Sequence, residues 1–295
     1  MTDLPVGAHG DAHSDAAAPA APRPPQGGSQ GEAVYLYGVA RGLDPAALDQ
    51  VTGVGGAPVR PITAGDLTAL VSTVELAHYG EQALRANLED LEFLEATARA
   101  HHDVVDRAAH AAATAPVRIA TIYRDDQRVE EILTRQREQF TRVLDRVAGR
   151  SEWGVKVHAH PEAYEAAPDP AAPDGGEQRA GGGAGTAYLH RRQQQRRQHQ
   201  NAARHIAEQA QAIHAELADH AVATRQHPPQ DPRLSGHQGT QILNVAYLLD
   251  DEQADGFAAV AHTIGERLPG ITVEVTGPWP PYSFIDTAET TPADA

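Results

Sequence analysis

A proline-rich segment near the C-terminus constrains this sequence more than any other stretch. Residues 277–285 read GPWPPYSFI, with three prolines in four positions. Each proline fixes φ and lacks an amide donor, which excludes a helix or a central strand there. The proline segment, as we call residues 277–285, also carries Trp279, Tyr282 and Phe284, and rings of this size are usually buried. We expect a stiff structural clamp whose three rings close a core as an internal lid, with a peptide-binding surface as the alternative.

Alternation of apolar and polar residues predicts the strands around this segment. Residues 271–276 alternate strictly and lead into it, and residues 117–123, 153–158 and 242–249 have the same character. The segments between these strands have apolar residues at helical spacing, which predicts helices. From residue 117 the order is strand, helix, strand, then an insertion with a long helix, then strand, helix, strand. Two such βαβ halves predict a modified ferredoxin-like sheet with a long helical insertion.

The residues before 116 form a separate group of elements. Strands are predicted at residues 34–39, 59–62 and 67–74, with the second at a sheet edge because prolines flank it. A long helix follows, and we expect one face of it to pack on this first sheet. Its apolar stripe consists of Leu84, Leu88, Leu91, Leu94, Ala98, Val105, Ala108 and Ala112.

The fold class is therefore α+β with two domains. We place an N-terminal domain at 33–115 and a C-terminal domain at 116–286, although the unit 117–159 could belong with the first domain. Ala, Pro, Gly and polar residues dominate three further segments, for which we expect disorder or flexibility. These are the tail 1–32, the insertion 161–185 and the tail 287–295.

Composition limits the functional classes. A net charge of -16 predicts a soluble protein and argues against a general polyanion binder. Cysteine is absent, which excludes disulfides, thiolate chemistry and cysteine-ligated zinc. No run of about 18 apolar residues indicates a membrane span, and no basic, apolar leader is present. We therefore expect a cytoplasmic protein without a membrane partner.

Several motifs together resemble the GvpL/GvpF family of gas vesicle proteins. The resemblance is carried by the C-terminal ending at 271–285, by GTAYLHRR at 185–192 and by LNVAYLL at 243–249. Weaker matches, VYLYGV at 34–39 and APVR at 115–118, occur in the same order. The resemblance implies two α+β domains and an accessory or minor structural protein in gas vesicle assembly. It also implies binding to the main shell protein GvpA and to other accessory proteins, location at the gas vesicle, and no cofactor or catalytic residues.

Two patterns leave other functions open. His102, Asp106 and His110 follow each other at four-residue steps on one predicted helix and could meet a metal ion, as in a metal-dependent hydrolase. However, an HExxH glutamate and an identifiable third ligand are missing. In a chain with 16 histidines, a solvated helix edge explains the spacing as well. We therefore predict that the protein is not an enzyme.

An arginine cluster opens the long helix. Arg191, Arg192, Arg196 and Arg197 lie in a stretch, residues 186–204, that has no acidic residue. Arginine suits phosphate, so an RNA-binding regulator is one interpretation, but aromatic residues are not interleaved as in nucleic-acid sites. A partner-binding surface for a protein is the other. We expect a helix whose polar half projects before its apolar half docks, and no nucleic-acid partner.

Overall fold

The structure is a computed structural model. It describes residues 31–87, 89–160, 184–230 and 239–285, and within 184–199 it describes the side chains of 192–194, 196 and 197. The predicted tails and the 161–185 insertion therefore lie outside the described residues, apart from 31–32 and 184–185. Glu32, assigned to the tail, begins the first strand.

The first unit is built on a four-stranded antiparallel sheet in the order β2-β3-β1-β4. The predicted strands before residue 116 are all present, and β2 is an edge strand as expected. β1 is buried along most of its length because helices cover both faces of the sheet. The strands are β1 (Glu32–Arg41), β2 (Arg60–Ala64), β3 (Leu67–Glu75) and β4 (Thr114–Tyr123).

Five helices belong to this unit. One face of the sheet packs on α3 through Val104, Val105 and Ala108, and the other packs on α4 and α5 through a core that includes Phe140 and Leu144. The helices are α1 (Leu76–Tyr79), α2 (Glu81–Asn87), α3 (Leu91–Ala111), α4 (Asp126–Arg135) and α5 (Arg137–Val147). The expectation that the long helix packs one face on the first sheet is confirmed.

The start of that long helix differs from the prediction. The Asp90 carboxylate accepts hydrogen bonds from the amides of Glu92 and Phe93, so α3 begins at Leu91 and α2 is a separate helix. Leu91 is 78% exposed and takes no part in the core. Leu88 lies outside the described residues. Asp90 lies between Leu88 and Leu91 of the predicted stripe. It acts as a helix cap and not as a surface residue of one continuous helix.

The strand at 117–123 is part of β4 and lies in the first sheet, not in the second. It pairs with β1, and the register jumps from Leu36↔Thr121 to Gly38↔Pro116, which leaves an irregular stretch on β4. Gly38 permits this close approach, since a Cβ there would lie 2.8 Å from the Ala115 carbonyl oxygen. A boundary at residue 116 therefore divides β4 itself. The first sheet and its helices extend to Val147, and β5 begins the second sheet.

The second unit has a four-stranded antiparallel sheet in the order β6-β7-β5-β8. Its strands are β5 (Arg150–Ala159), β6 (Ala223–Gln226), β7 (Thr240–Asp250) and β8 (Ile271–Trp279), and its helices are α6 (Ala184–Ala218) and α7 (Ala254–Arg267). The short strand β6 was not predicted. It is the fourth strand of the second sheet, whereas the sequence pattern had assigned residues 117–123 to that sheet. Its four residues, ATRQ, carry no alternation of their own.

One face of the second sheet forms the core of this unit. Ile206, Ile213 and Leu217 of α6 pack with Phe257 of α7 and with the buried residues of β5 and β7. Ala202 is the buried alanine at the start of this stripe. On α7, Phe257, Ala261 and Ile264 are buried at four- and three-residue steps. Helix α6 thus docks through its C-terminal half.

A buried histidine lies in the α3-facing core of the first unit. The Nδ1 atom of His101 lies 3.0 Å from the hydroxyl of Tyr35, and that hydroxyl also accepts a hydrogen bond from the Ala120 amide. Burial lowers the pKa of His101 from 6.5 to about 4, with a smaller opposing effect from the Val117 carbonyl and a further lowering by His102. His101 is therefore neutral at pH 7.

We expect His101 to make the fold sensitive to mild acid. Between pH 6.5 and 4 the unfolded chain binds a proton that the folded chain excludes, so the free energy of unfolding falls as pH falls through this window. The full effect is about 3 kcal/mol. Chemical denaturation at pH 7, 6, 5 and 4 should show a shallower decline for His101→Gln than for the unchanged chain. The exposed His262, changed to Gln, is the control and should leave the slope unchanged; equal slopes for all three proteins would contradict this assignment.

Candidate functional site

The end of the proline segment lies between the two units. The short 3-10 helix Tyr282–Phe284 contacts β4, the outer strand of the first sheet. Tyr282 packs against the α3-facing core and Ile285 against the opposite core, which contains α4 and α5. Phe284 packs on Ala246 and Leu248, on the face of the second sheet away from α6. Tyr282, Phe284 and Ile285 therefore contact three separate apolar clusters. Two of these clusters lie on opposite faces of the first sheet, so the segment passes around the edge of β4.

Polar contacts fix the same segment to the second sheet. The Glu152 carboxylate of β5 accepts hydrogen bonds from the amide and the hydroxyl of Ser283, each at 2.7 Å. Arg225 of β6 donates to the Ser283 carbonyl at 2.6 Å, and the His227 ring lies 3.2 Å from the Ser283 hydroxyl. Burial raises the pKa of the Glu152 carboxyl, and the contacts with Ser283, His227 and Arg225 oppose that rise. The carboxylate acts as an N-terminal cap for the 3-10 helix.

The three predicted clamp rings differ in burial. Phe284 is buried and Tyr282 is half-buried, with its ring 6.2 Å from the His101 ring. Burial, and then the charges of Asp106 and Glu152, raise the pKa of the Tyr282 phenol. Trp279 is 44% exposed, so the expectation that its ring is buried in a lid is wrong. The next two residues, Pro280 and Pro281, are buried.

The exposed Trp279 ring borders a groove between the units. The inter-unit groove has a volume of about 370 Å³ and is lined by α3, the start of β5, the start of α7 and the proline segment. A second cavity of about 240 Å³ adjoins it at the last turn of α3 and shares Asp251, Arg150 and His110 with it. Trp153 lies in the wall of the groove, and so both tryptophans of the chain are placed there.

The predicted partner-binding arginines lie along the first half of α6. Arg192, Arg196 and Arg197 are exposed, and the side chain of Arg191 lies outside the described residues. In the part of the chain that the structure describes, these three side chains have no carboxylate within ion-pair distance. Among the described side chains of the helix, the first buried one is that of Ala202. As predicted, the polar half of α6, residues 184–201, comes before the half that docks.

The three possible metal ligands on α3 do not share a common centre, because His102 contacts Trp279 while His110 contacts Asp106. The ring of His102 makes an edge contact with Trp279, with centroids 5.4 Å apart. The Nδ1 atom of His110 lies 2.8 Å from the Asp106 carbonyl oxygen and 3.5 Å from its carboxylate. Among the described residues, no group of three or more His, Asp or Glu side chains converges as metal ligands. The structure therefore does not bring His102, Asp106 and His110 together.

Sequence reasoning missed the polar residues that hold the proline segment. Glu152 and Ser283 are 131 positions apart, and nothing in the sequence near either one indicates the pair. The groove residues Asp251 and Arg150 were equally hidden, because they come together only when β5 and β7 pair. The one available signal was the amphipathic stretch PYSFI itself, in which apolar residues flank a serine.

We expect Phe284→Ala to destabilise the protein by about 3 kcal/mol, as for other large-to-small changes at buried positions. Trp279→Ala should cost about 1 kcal/mol or less, because nearly half of its side-chain surface is already in water. Urea denaturation followed by far-ultraviolet circular dichroism measures both, since that signal does not depend on tryptophan. Equal losses for the two variants would contradict the assignment of Phe284 as the anchor.

Comparison with known proteins agrees with this architecture. A protein-family model described as "Gas vesicle synthesis protein GvpL/GvpF" matches residues 33–286. Gas vesicle protein L of Streptomyces sp. (strain CB03234) is 39% identical over 256 residues, which cover 86% of this chain and 93% of the relative. Gas vesicle protein F of the same strain is 27% identical, covering 85% and 99% of the two chains.

Solved structures show the same fold. The crystal structure of GvpF from Microcystis aeruginosa superposes with a TM-score of 0.61 at 18% identity, covering 86% of this chain and 98% of that one. The GvpF structure from Anabaena gives a TM-score of 0.60 at 19% identity, with 86% and 96% covered. The family match spans both sheets, the proline segment and the long helix, and the chain therefore belongs to the GvpL/GvpF family of gas vesicle synthesis proteins.

Proposed function

We propose that this protein is an accessory or minor structural protein of gas vesicle assembly, and that it binds the main shell protein GvpA and other accessory proteins. The observation that carries the proposal is the first half of α6, where residues 186–204 include no carboxylate and Arg192, Arg196, Arg197 and Arg204 are exposed. A helix that is polar on all sides gains little stability from packing on its own domain. A partner with an acidic surface supplies the carboxylates and the stabilising contacts that this half of the helix lacks.

The arrangement of the arginines suits such a partner. Arg192 and Arg196 are one turn apart and share a face, while Arg197 and Arg204 are two turns apart on the adjoining face. All four are exposed. Charges of one sign on such a surface mainly raise the rate of encounter and fix the orientation of the partner. The association therefore weakens with salt, since exposed charges are screened over about 8 Å at physiological ionic strength.

We also propose the fold of the second unit, the boundary between the domains and the subtype within the family. The second unit is a modified ferredoxin-like domain, supported by its order of strand, helix, two strands, helix and strand. The boundary between domains lies near residues 148–149, between α5 and β5. The 39% identity to a Streptomyces gas vesicle protein L, against 27% to protein F of the same strain, favours an L-type member.

The proposal involves no catalysis, cofactor or nucleic acid and places the protein with gas vesicles in the cytoplasm. The separate engagement of His102, Asp106 and His110 argues against a metal-dependent hydrolase. None of the helices in the described chain is both long and apolar enough to cross a bilayer. An RNA-binding regulator is the alternative that uses the same arginines, and it is tested together with the proposal below.

We expect the variant with Arg191, Arg192, Arg196 and Arg197 changed to Gln to retain its fold but lose co-purification with gas vesicle proteins. Glutamine keeps the length and helix propensity of the side chain while removing the charge. The measurement is affinity capture from a gas vesicle-forming lysate at low and high salt, after nuclease treatment, with circular dichroism as the check on folding.

The control changes four other exposed arginines, Arg85, Arg99, Arg124 and Arg142, to Gln and alters the net charge equally. It should capture the same partners as the unchanged chain, because exposed ion pairs contribute only about 0 to 1 kcal/mol each. Capture by the α6 variant at the level of the control would overturn the proposal. Capture that disappears with nuclease would favour the RNA-binding alternative.

A further inference from the structure

We propose that the inter-unit groove binds a second partner segment, one that presents an arginine or lysine between apolar residues. This assignment concerns a surface remote in sequence from the α6 arginines and does not rest on the function proposed for them. It starts from an exposed aromatic ring, Trp279, which belongs to the segment expected to be buried but is 44% exposed beside a groove of about 370 Å³.

Part of the groove wall is apolar and is held in place by the fold. Pro280 and Pro281 of the proline segment are buried, and the next residues are held by Glu152 and by three apolar clusters. Trp153 is on β5, which pairs with β8, and its ring lies close to Gly277 at the start of the proline segment. It packs edge-on against Phe257, and its indole N–H is donated to Ser151 at 3.2 Å. A partner that contacts Trp153 and the exposed Trp279 therefore meets side chains that the fold already holds, and little ordering is needed on binding.

The charges of the groove select the occupant. The Asp251 carboxylate is exposed and, among the described residues, forms no ion pair. Asp106 lies on the α3 side, with His110 at 3.5 Å and the Tyr282 phenol close enough for the Asp106 charge to raise its pKa. The groove's one arginine, Arg150, pairs with Asp250 at 2.8 Å and donates to the Arg146 carbonyl at 2.6 Å. The adjoining cavity is lined by the last turn of α3, whose helix dipole also favours a cation. An acidic segment is excluded by the same charges.

The exposed ring explains why a guanidinium or ammonium group is favoured over a simple hydrogen-bond donor. Cations bind to the face of an indole more strongly than to other aromatic rings, and arginine does so more often than lysine. At present, the Trp279 ring has an edge contact with the exposed side of α3 through His102. The apolar residues on either side of the cation would cover the proline surface and Trp153.

Both tryptophans line this groove, so intrinsic fluorescence reports on its occupancy. The probes are three acetylated, amidated hexapeptides, Ala-Leu-X-Leu-X-Ala, with X as arginine, glutamine or glutamate. We expect saturable quenching of the full chain by the arginine peptide alone. Raising the salt from about 50 to about 500 mM should weaken it several-fold, because charges at the rim are screened.

Variants of the groove residues test where the arginine peptide binds. Asp106→Asn with Asp251→Asn should weaken the arginine peptide about tenfold, as for loss of the charged partners at an interface. Trp279→Leu should weaken it about threefold, with Trp153 as the remaining reporter, since the apolar area stays and the π face is lost. The matched control is Asp103→Asn, on the same helix but facing another groove beside Glu92 and Glu95, and it should have no effect.

Several results would overturn the proposal. Equal binding of the glutamine peptide would show that charge does not select the occupant, and loss with Asp103→Asn equal to that of the groove variant would show a general effect of the net charge of -16. Absence of quenching at millimolar peptide would show that the groove does not take this chemistry. Self-association that the groove variant abolishes, measured by analytical ultracentrifugation, would assign the groove to a second copy of this chain instead.

Discussion

The fold depends on the contact of one short segment, residues 282–285, with both sheets. Edge strands with unpaired backbone groups are open to association, and β4 is such an edge in the first sheet. Tyr282 and Ile285 reach the two cores on either side of β4, and Phe284 reaches the second sheet. Glu152 of β5 accepts two hydrogen bonds from Ser283, and β5 also pairs with β8, so residues 282–285 are joined to the strand that begins the second unit. Because the same residues contact the first sheet, they connect the two units.

Local patterns were sufficient to predict most of the elements. The strands β1, β3 and β7 and the apolar face of α3 follow from side-chain periodicity, which depends on neighbours a few residues apart. The proline segment was also identified as a site of packing from its residues alone. These features are encoded within windows of about 15 residues, so a single sequence is enough to find them.

Strand partners and burial could not be predicted in the same way. The pattern at 117–123 is an ordinary alternating strand, and its membership of the first sheet follows from Gly38, 78 positions before Pro116, which lets the chains approach. The strand β6 is only four residues long and has no pattern, yet it completes the second sheet. Trp279 is exposed while its neighbours Pro280 and Pro281 are buried. Strand pairing is set by distant residues, and tertiary packing decides which residue of a proline-rich stretch is buried. Neither effect appears in local periodicity.

The distribution of charge gives the two surfaces different chemistry. A chain with a net charge of -16 repels acidic partners over most of its surface, so binding one requires a local concentration of positive charge. The first half of α6 supplies that concentration, and its residues lie beyond the part of the helix that docks through Ile206, Ile213 and Leu217. The inter-unit groove has the opposite character, with carboxylates beside an exposed indole. The basic surface is on α6, whereas the groove is lined by α3, β5, the start of α7 and the proline segment, so the two surfaces share no residues. In the two proposals above, the α6 surface takes an acidic component and the groove takes a basic one.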